Sequence, residues 1–268
     1  NFLTLPKGDT TQRGRGRGII GGGHDGSSLL NVVEYIEIQS QGNAIDFGDL
    51  TTATRVPTLF ASSTRGIIAG GANPAPNTSI NTIEFVTIAT TSNATNFGDL
   101  TNPVRSGAGF SSQVRGINGG GALAPSPTRT NVIDFVTIAS KGDAVEFGQL
   151  TQNMHGGDGC SNSVRGIFAG GYAPGFTTNI KTIQYITMAS DGDSINFGDL
   201  NTGSDSPSAV ANQVRAVLSG GYVSPSNIKR MEFITISTTG NAENFGDQFT
   251  TDGRACGTSD SHGGLGGY

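Results

Sequence analysis

The chain repeats one phrase at intervals of about fifty residues. Phe-Gly-Asp-Leu stands at Phe47 to Leu50, Phe97 to Leu100 and Phe197 to Leu200, and the same slot reads FGQL at Phe147 to Leu150 and FGDQF at Phe245 to Phe249. A unit of this length cannot bury an apolar face alone, so the copies must bury one another. The 268 residues are therefore expected to form one continuous array and a single domain spanning 1–268. With 42 glycines and a hydrophobic fraction of 34%, small residues must pack backbone against backbone.

The third copy shows the parts of the unit. GAGFSSQ (107 to 113), VRGINGGGA (114 to 122), NVIDFVTIAS (131 to 140) and AVEFGQLT (144 to 151) are short and bounded by turn residues. They read as four strands, here a to d. Helix is disfavoured because apolar residues do not recur at three and four. Strand c recurs as VVEYIEI, TIEFVTI, VIDFVTI, TIQYITM and RMEFITI, apolar on both pleat faces, as stacked sheets require. The Gly-Asn or Gly-Asp that follows, at 42, 142, 192 and 240, is hairpin chemistry that makes c and d antiparallel neighbours. Strand b starts at Arg17, Arg65, Arg115, Arg165 and Arg215 and runs into paired glycines, which suit close backbone approach or positive φ.

The period and the double glycine resemble kelch-type propellers, although this chain has no Trp, and the Phe of the FGDL motif takes that packing role. The resemblance implies an all-β propeller of four-stranded antiparallel blades. The termini supply a sixth blade by similarity: GRACGTS and SHGGLGGY read as strands a and b, while Asn1 to Leu5 with Lys7-Gly8-Asp9 read as strand c and its turn. The blades are then about 10–50, 51–100, 101–150, 151–200 and 201–250, with 251–268 plus 1–9 closing the ring. A five-bladed ring is the alternative.

Most apparent sites read as scaffold. Cys160 and Cys256 fall in the strand a slot held by Phe60, Phe110 and Val210, so they are expected to be buried thiols, too far apart to bond. The Arg series, with the FGD aspartates, is expected to clasp an Asp or a backbone carbonyl within or between blades. Arg13 to Arg17 alternates Arg with Gly, as RNA-binding segments do, but the net charge of −5 excludes a general affinity for nucleic acid or anionic lipid. Asp191-Gly192-Asp193 is a hairpin turn, not a calcium loop. His24, His155 and His262 occupy different slots, and no metal spacing, nucleophile motif or phosphate loop is present. No enzymatic activity, cofactor or metal is expected, and no apolar run is long enough for membrane insertion.

The connections between strands b and c differ from copy to copy and share one edge of every blade, so recognition is expected there. Tyr172, Phe176, Tyr222, Arg129 and His24 are the candidate binding residues, the aromatics offering anchors or sugar-stacking faces. The stretch NTIEFVTIATTSNATNFGDLT from Asn81 also resembles repeats of virion structural proteins of tailed marine bacteriophages. That resemblance implies a noncatalytic tail, fibre or capsid-exterior protein on the virion surface. Its partners would be other virion proteins or a host-surface receptor, glycans included. A glycan-binding propeller is the alternative.

Overall fold

The computed structural model describes residues 16–38, 40–73, 78–123, 128–173, 178–253 and 257. They build five antiparallel sheets in chain order. Blade 1 holds β1 (Arg17–Gly21), β2 (Val32–Glu37) and β3 (Ile45–Asp49). Blade 2 holds β4 (Thr58–Ala61), β5 (Arg65–Ala69), β6 (Thr82–Thr87) and β7 (Thr95–Asp99). Blade 3 repeats this with β8 (Ala108–Ser111), β9 (Arg115–Gly119), β10 (Val132–Thr137) and β11 (Val145–Gln149), and blade 4 with β12 (Asp158–Ser161), β13 (Arg165–Ala169), β14 (Thr182–Thr187) and β15 (Ile195–Asp199). Blade 5 comprises β16 (Ser208–Ala211), β17 (Arg215–Ser219), the short β18 (Tyr222–Val223), β19 (Ser226–Thr235) and β20 (Glu243–Asp252). The a strands β4, β8, β12 and β16 touch in succession, each blade leading outward from them. The arrangement is a β-propeller.

The five sheets correspond to the five-bladed alternative, not to the count of six. Of the stretches assigned to the sixth blade, 1–9 and 251–268, only 251–253 and Gly257 lie among the described residues. Blade 1 shows three strands among the described residues, and the residues before Gly16 lie outside them. A second departure is the b–c connection of blade 5. There Tyr222 and Val223 pair with Asn227 and Ser226 in a β-hairpin.

The apolar core lies between blades, in four clusters. The first joins Val33, Tyr35, Phe47 and Leu50 to Ile68, Val86 and Ala94 of blade 2. The second and third repeat the pattern, Ile83 and Phe97 meeting Val136 and Ile138, and Ile133 and Phe147 meeting Phe168 and Ile186. The fourth packs Cys160, Ile183 and Phe197 against Ala216, Leu218 and Ile234. In blades 2 to 4 strand c thus buries one pleat face forward and the other backward, which is why it is apolar on both.

Three polar clasps recur at these junctions. The strand b arginines donate from Nη1 to the carbonyl ending strand c of the next blade: Arg17 to Ile88 at 2.9 Å, Arg65 to Ile138 at 2.8 Å, Arg115 to Met188 at 3.3 Å and Arg165 to Ile236 at 2.8 Å. Each guanidinium also lies over its own strand c ring, Tyr35, Phe85, Phe135 or Tyr185, at 4.3 to 4.8 Å. That ring meets the Phe of FGDL edge-on at 5.9 to 6.0 Å. Of the two acceptors expected, the carbonyl is the recurrent one; Arg115 adds an ion pair with Asp191 and Arg17 one with Glu37.

In the second clasp, Glu84, Asp134, Gln184 and Glu232 accept the amide just past the preceding blade's strand d, from Thr51, Thr101, Thr151 and Asn201. A β-bulge immediately before each of these acceptors recurs in strand c. In the third, the Asn or Asp of each c–d turn accepts the amide of the third FGDL residue in the preceding blade: Asn93 from Asp49, Asp143 from Asp99, Asp193 from Gln149 and Asn241 from Asp199.

Candidate functional site

The face carrying the b–c connections is built on the double glycines. Gly70 and Gly71 both have positive φ, 63° and 109°, and the Gly71 amide donates to the Val104 carbonyl at 2.8 Å. The same bond links Gly121 to Met154 and Gly171 to Ser204. A Cβ on Gly70 would lie 2.5 Å from the Val104 oxygen, so only glycine fits. The residue after the pair is thereby fixed, and it bridges Ala72 to Arg55 and Ser79, Ala122 to Arg105 and Arg129, Tyr172 to His155 and Asn179, and Tyr222 to Asp205. Backbone geometry repeats here while the side chains change between blades 2 and 3, with Ala and Arg, and blades 4 and 5, with Tyr and His or Asp.

Across blades 3 to 5 the variable side chains interlock. Arg129, only 3% exposed, donates from Nε to His155 Nδ1 at 3.0 Å, and the imidazole stacks on Tyr172 at 5.9 Å. Burial, together with the Arg129 and Arg105 cations, lowers the His155 pKa to about 4, so the ring is neutral at physiological pH with its proton on Nε2. Burial also lowers the Arg129 pKa, opposed by the Asp205 carboxylate nearby. The Arg129 charge is thus buried beneath the half-buried His155 and Tyr172 rings, and the nearby Asp205 carboxylate opposes it.

Of the five candidates, Arg129 and Tyr172 come together in this cluster. Tyr222 is half-buried and leads into β18, with its carbonyl receiving Asn179 Nδ2 at 2.8 Å. His24 stands on blade 1 in an exposed turn, accepting the Gly26 amide at 2.9 Å. Beside it the Asp25 carboxylate accepts from Ser27 and Ser28, which holds its pKa down to about 2. Phe176 lies outside the described residues.

Sequence reasoning missed His155 as a partner of Arg129, since the two lie on different blades. It also missed Asp158, the one acid in the slot held by Thr58, Ala108 and Ser208. Its carboxylate accepts the Gly159 and Ala209 amides at 2.8 Å, yet burial outweighs both and raises its pKa to about 7. Two residues on, the Cys160 thiol is buried and pushed up by desolvation first and Asp158 second. It is inert, as its slot implied; Cys256 lies outside the described residues. Among the described residues no group of three His, Cys, Asp or Glu side chains is placed to hold a metal ion, and no helix is long and apolar enough to cross a membrane.

Comparison with solved structures adds the fold. The structure of YjhT superposes with a TM-score of 0.72 over 88% of this chain and 86% of that one, at 8% identity. At that identity the likeness concerns fold alone. No protein-family model and no curated protein matches the sequence.

Proposed function

We propose that this chain is a noncatalytic virion structural or adhesion protein of a tailed bacteriophage, with the propeller displayed for contact with a host surface or another virion protein. The reading takes the units as kelch-like. One observation carries it: fixed backbone bridges present Arg55, Arg105, His155 and Asp205, with Ala72, Ala122, Tyr172 and Tyr222, as different side chains at equivalent places on one face. Recognition surfaces are made in this way, by variation on a rigid scaffold. The repeated polar groups support the reading too, because strand b arginines and strand c acids are engaged in holding blades together.

The test is quantitative mass spectrometry of purified phage particles, with antibody-gold labelling. Fixed copy number and labelling on the particle exterior are expected; absence from washed particles would overturn the proposal. A glycan array separates the alternative. Hits lost on Tyr172→Ala and Tyr222→Ala would replace the protein-contact reading with a lectin, whereas silence is expected if the face meets protein.

A further inference from the structure

The fifth copy of the FGDL motif carries one residue more than the others, and the structure leaves two neighbouring side chains in unfavourable surroundings. Leu50, Leu100, Leu150 and Leu200 end strand d in the core, each 4% exposed or less. They lie against the first glycine of their own blade's pair: a Cβ on Gly22, Gly70 or Gly120 would stand 3.2 to 3.5 Å from Cδ1 of Leu50, Leu100 or Leu150. After Asp247 the chain instead reads Gln248-Phe249-Thr250-Thr251, so the residue in the Leu slot, beside Ser219 and Gly220, is Gln248. Its Nε2 comes within 3.5 Å of Ser219 Oγ, while its buried Oε1 accepts no hydrogen bond among the described residues. Turning the amide over only changes which end is orphaned. Phe249 is left outside, 103% exposed. An open phenyl ring and a buried unsatisfied amide are both costly, and here they are adjacent in sequence.

The local ladder gives the two room to trade places. Arg230 pairs with Asp247 and Ile228 with Asp252, so the four residues Gln248 to Thr251 face the single Lys229. That is a bulge, and the chain can shift inside it while the pairs at either end persist. Asp247 is held in addition by Lys229 Nζ at 3.3 Å. We propose that this bulge is a two-position switch: Phe249 is presented to solvent in one position and withdrawn into the Leu slot in the other, as Gln248 moves out to water. A step of one residue reverses the facing of both side chains. The withdrawn position restores the pattern of the other copies, with Phe249 in the place of Leu50, Thr250 and Thr251 in those of Thr51 and Thr52, and Gln248 as the extra residue. Presented, the ring is an apolar anchor on the outermost strand of blade 5. Withdrawn, it leaves that edge to Thr250, Thr251, Lys229 and Arg230, all of them exposed. The switch is independent of the virion reading.

NMR of the full chain with isotope-labelled Phe tests it. The Phe249 ring should show two exchanging environments, as split peaks or as relaxation dispersion, and one of them should give NOEs to Ser219 and Gly220. Deleting Gln248 should leave only the withdrawn position, keep those NOEs, and lower the unfolding constant in denaturant at least about tenfold, as burial of a phenyl side chain implies. Gln248→Leu should leave only the presented position, because Leu fills the slot and the orphaned amide is gone. A single environment for the ring in the intact chain, a deletion that leaves the ring in solvent, or a Gln248→Leu chain that still exchanges would each overturn the proposal. Should the deletion variant not fold, the intact chain and Gln248→Leu decide the matter between them.

Discussion

At the blade junctions the copies keep the same side chains and spend them on one another, whereas on the b–c face equivalent backbone positions change side chain along the ring, from Ala and Arg in blades 2 and 3 to Tyr with His or Asp in blades 4 and 5. Arg65, Arg115 and Arg165 do one job three times, gripping a carbonyl across a junction. Arg55, Arg105, His155 and Asp205 share one bridge geometry with three chemistries. The contrast separates what repetition is for from what it carries: a residue that recurs with its partner is structural, and one that recurs only as a position is free to specialise.

The sharpest way to break the contrast is to attack a junction. Phe147→Ala removes a ring buried between blades 3 and 4 and held edge-on by Phe135. It should cost about 3–5 kcal/mol in denaturant unfolding. A loss below about 1 kcal/mol would show that the junctions are not where stability resides.

Asp158 tests the axis. Its carboxyl pKa is raised in the folded protein, to about 7 from 3.8, so the folded state binds this proton more tightly than the unfolded chain. Its stabilising effect is complete below about pH 4 and is lost as pH rises to about 7. Across that window wild type should fall relative to Asp158→Asn by at most about 4 kcal/mol, and by less to the extent that water reaches the half-buried residue. Parallel stability profiles from pH 4 to 8 would refute this.

Size matching across a junction gives a smaller effect. A Cβ on Gly116 would run into the Phe60 ring, and one on Gly166 into that of Phe110. At the fourth junction the equivalents are Cys160 and Ala216, which share one cluster. Gly116→Ala should destabilise by about 1–3 kcal/mol. Adding Phe60→Cys should recover part of that in a double-mutant cycle, with a favourable coupling of about 1 kcal/mol. Strict additivity would sink the size match.

The smallest effect is on the variable face. Replacing Arg129 with Ala should move the His155 titration from about 4 upward by about one unit, as the cation over Nδ1 is lost. An unchanged NMR titration would mean that burial alone sets it.

Much of this was legible from residues that repeat. Strands b, c and d begin and end near their expected places because Gly-Asn, Gly-Asp and Gly-Gly punctuate them. Positive φ at the double glycines and the burial of Cys160 followed from the residue types in those slots. What a single unit could not reveal was its neighbour. The Asn and Asp of the c–d turns looked like local turn formers, yet Asn93 and Asp143 accept amides from the preceding blade. Glu84 and Asp134 within strand c are buried acceptors for the preceding blade, a role that no single unit displays. At Gly116 and Gly166 the reason for glycine is a phenyl ring some fifty positions earlier, which a single unit does not show.

That phenyl ring also restricts which copy can follow which. Phe60 and Phe110 each precede a blade whose strand b carries Gly at the contact, and Cys160 precedes the one carrying Ala216. A rearranged gene placing blade 5 directly after blade 2 would drive the Ala216 methyl into the Phe60 ring. The copies are therefore no longer interchangeable beads: the seam between blades 4 and 5 has diverged as a matched pair, and blade 5 carries a physical address for its place after blade 4.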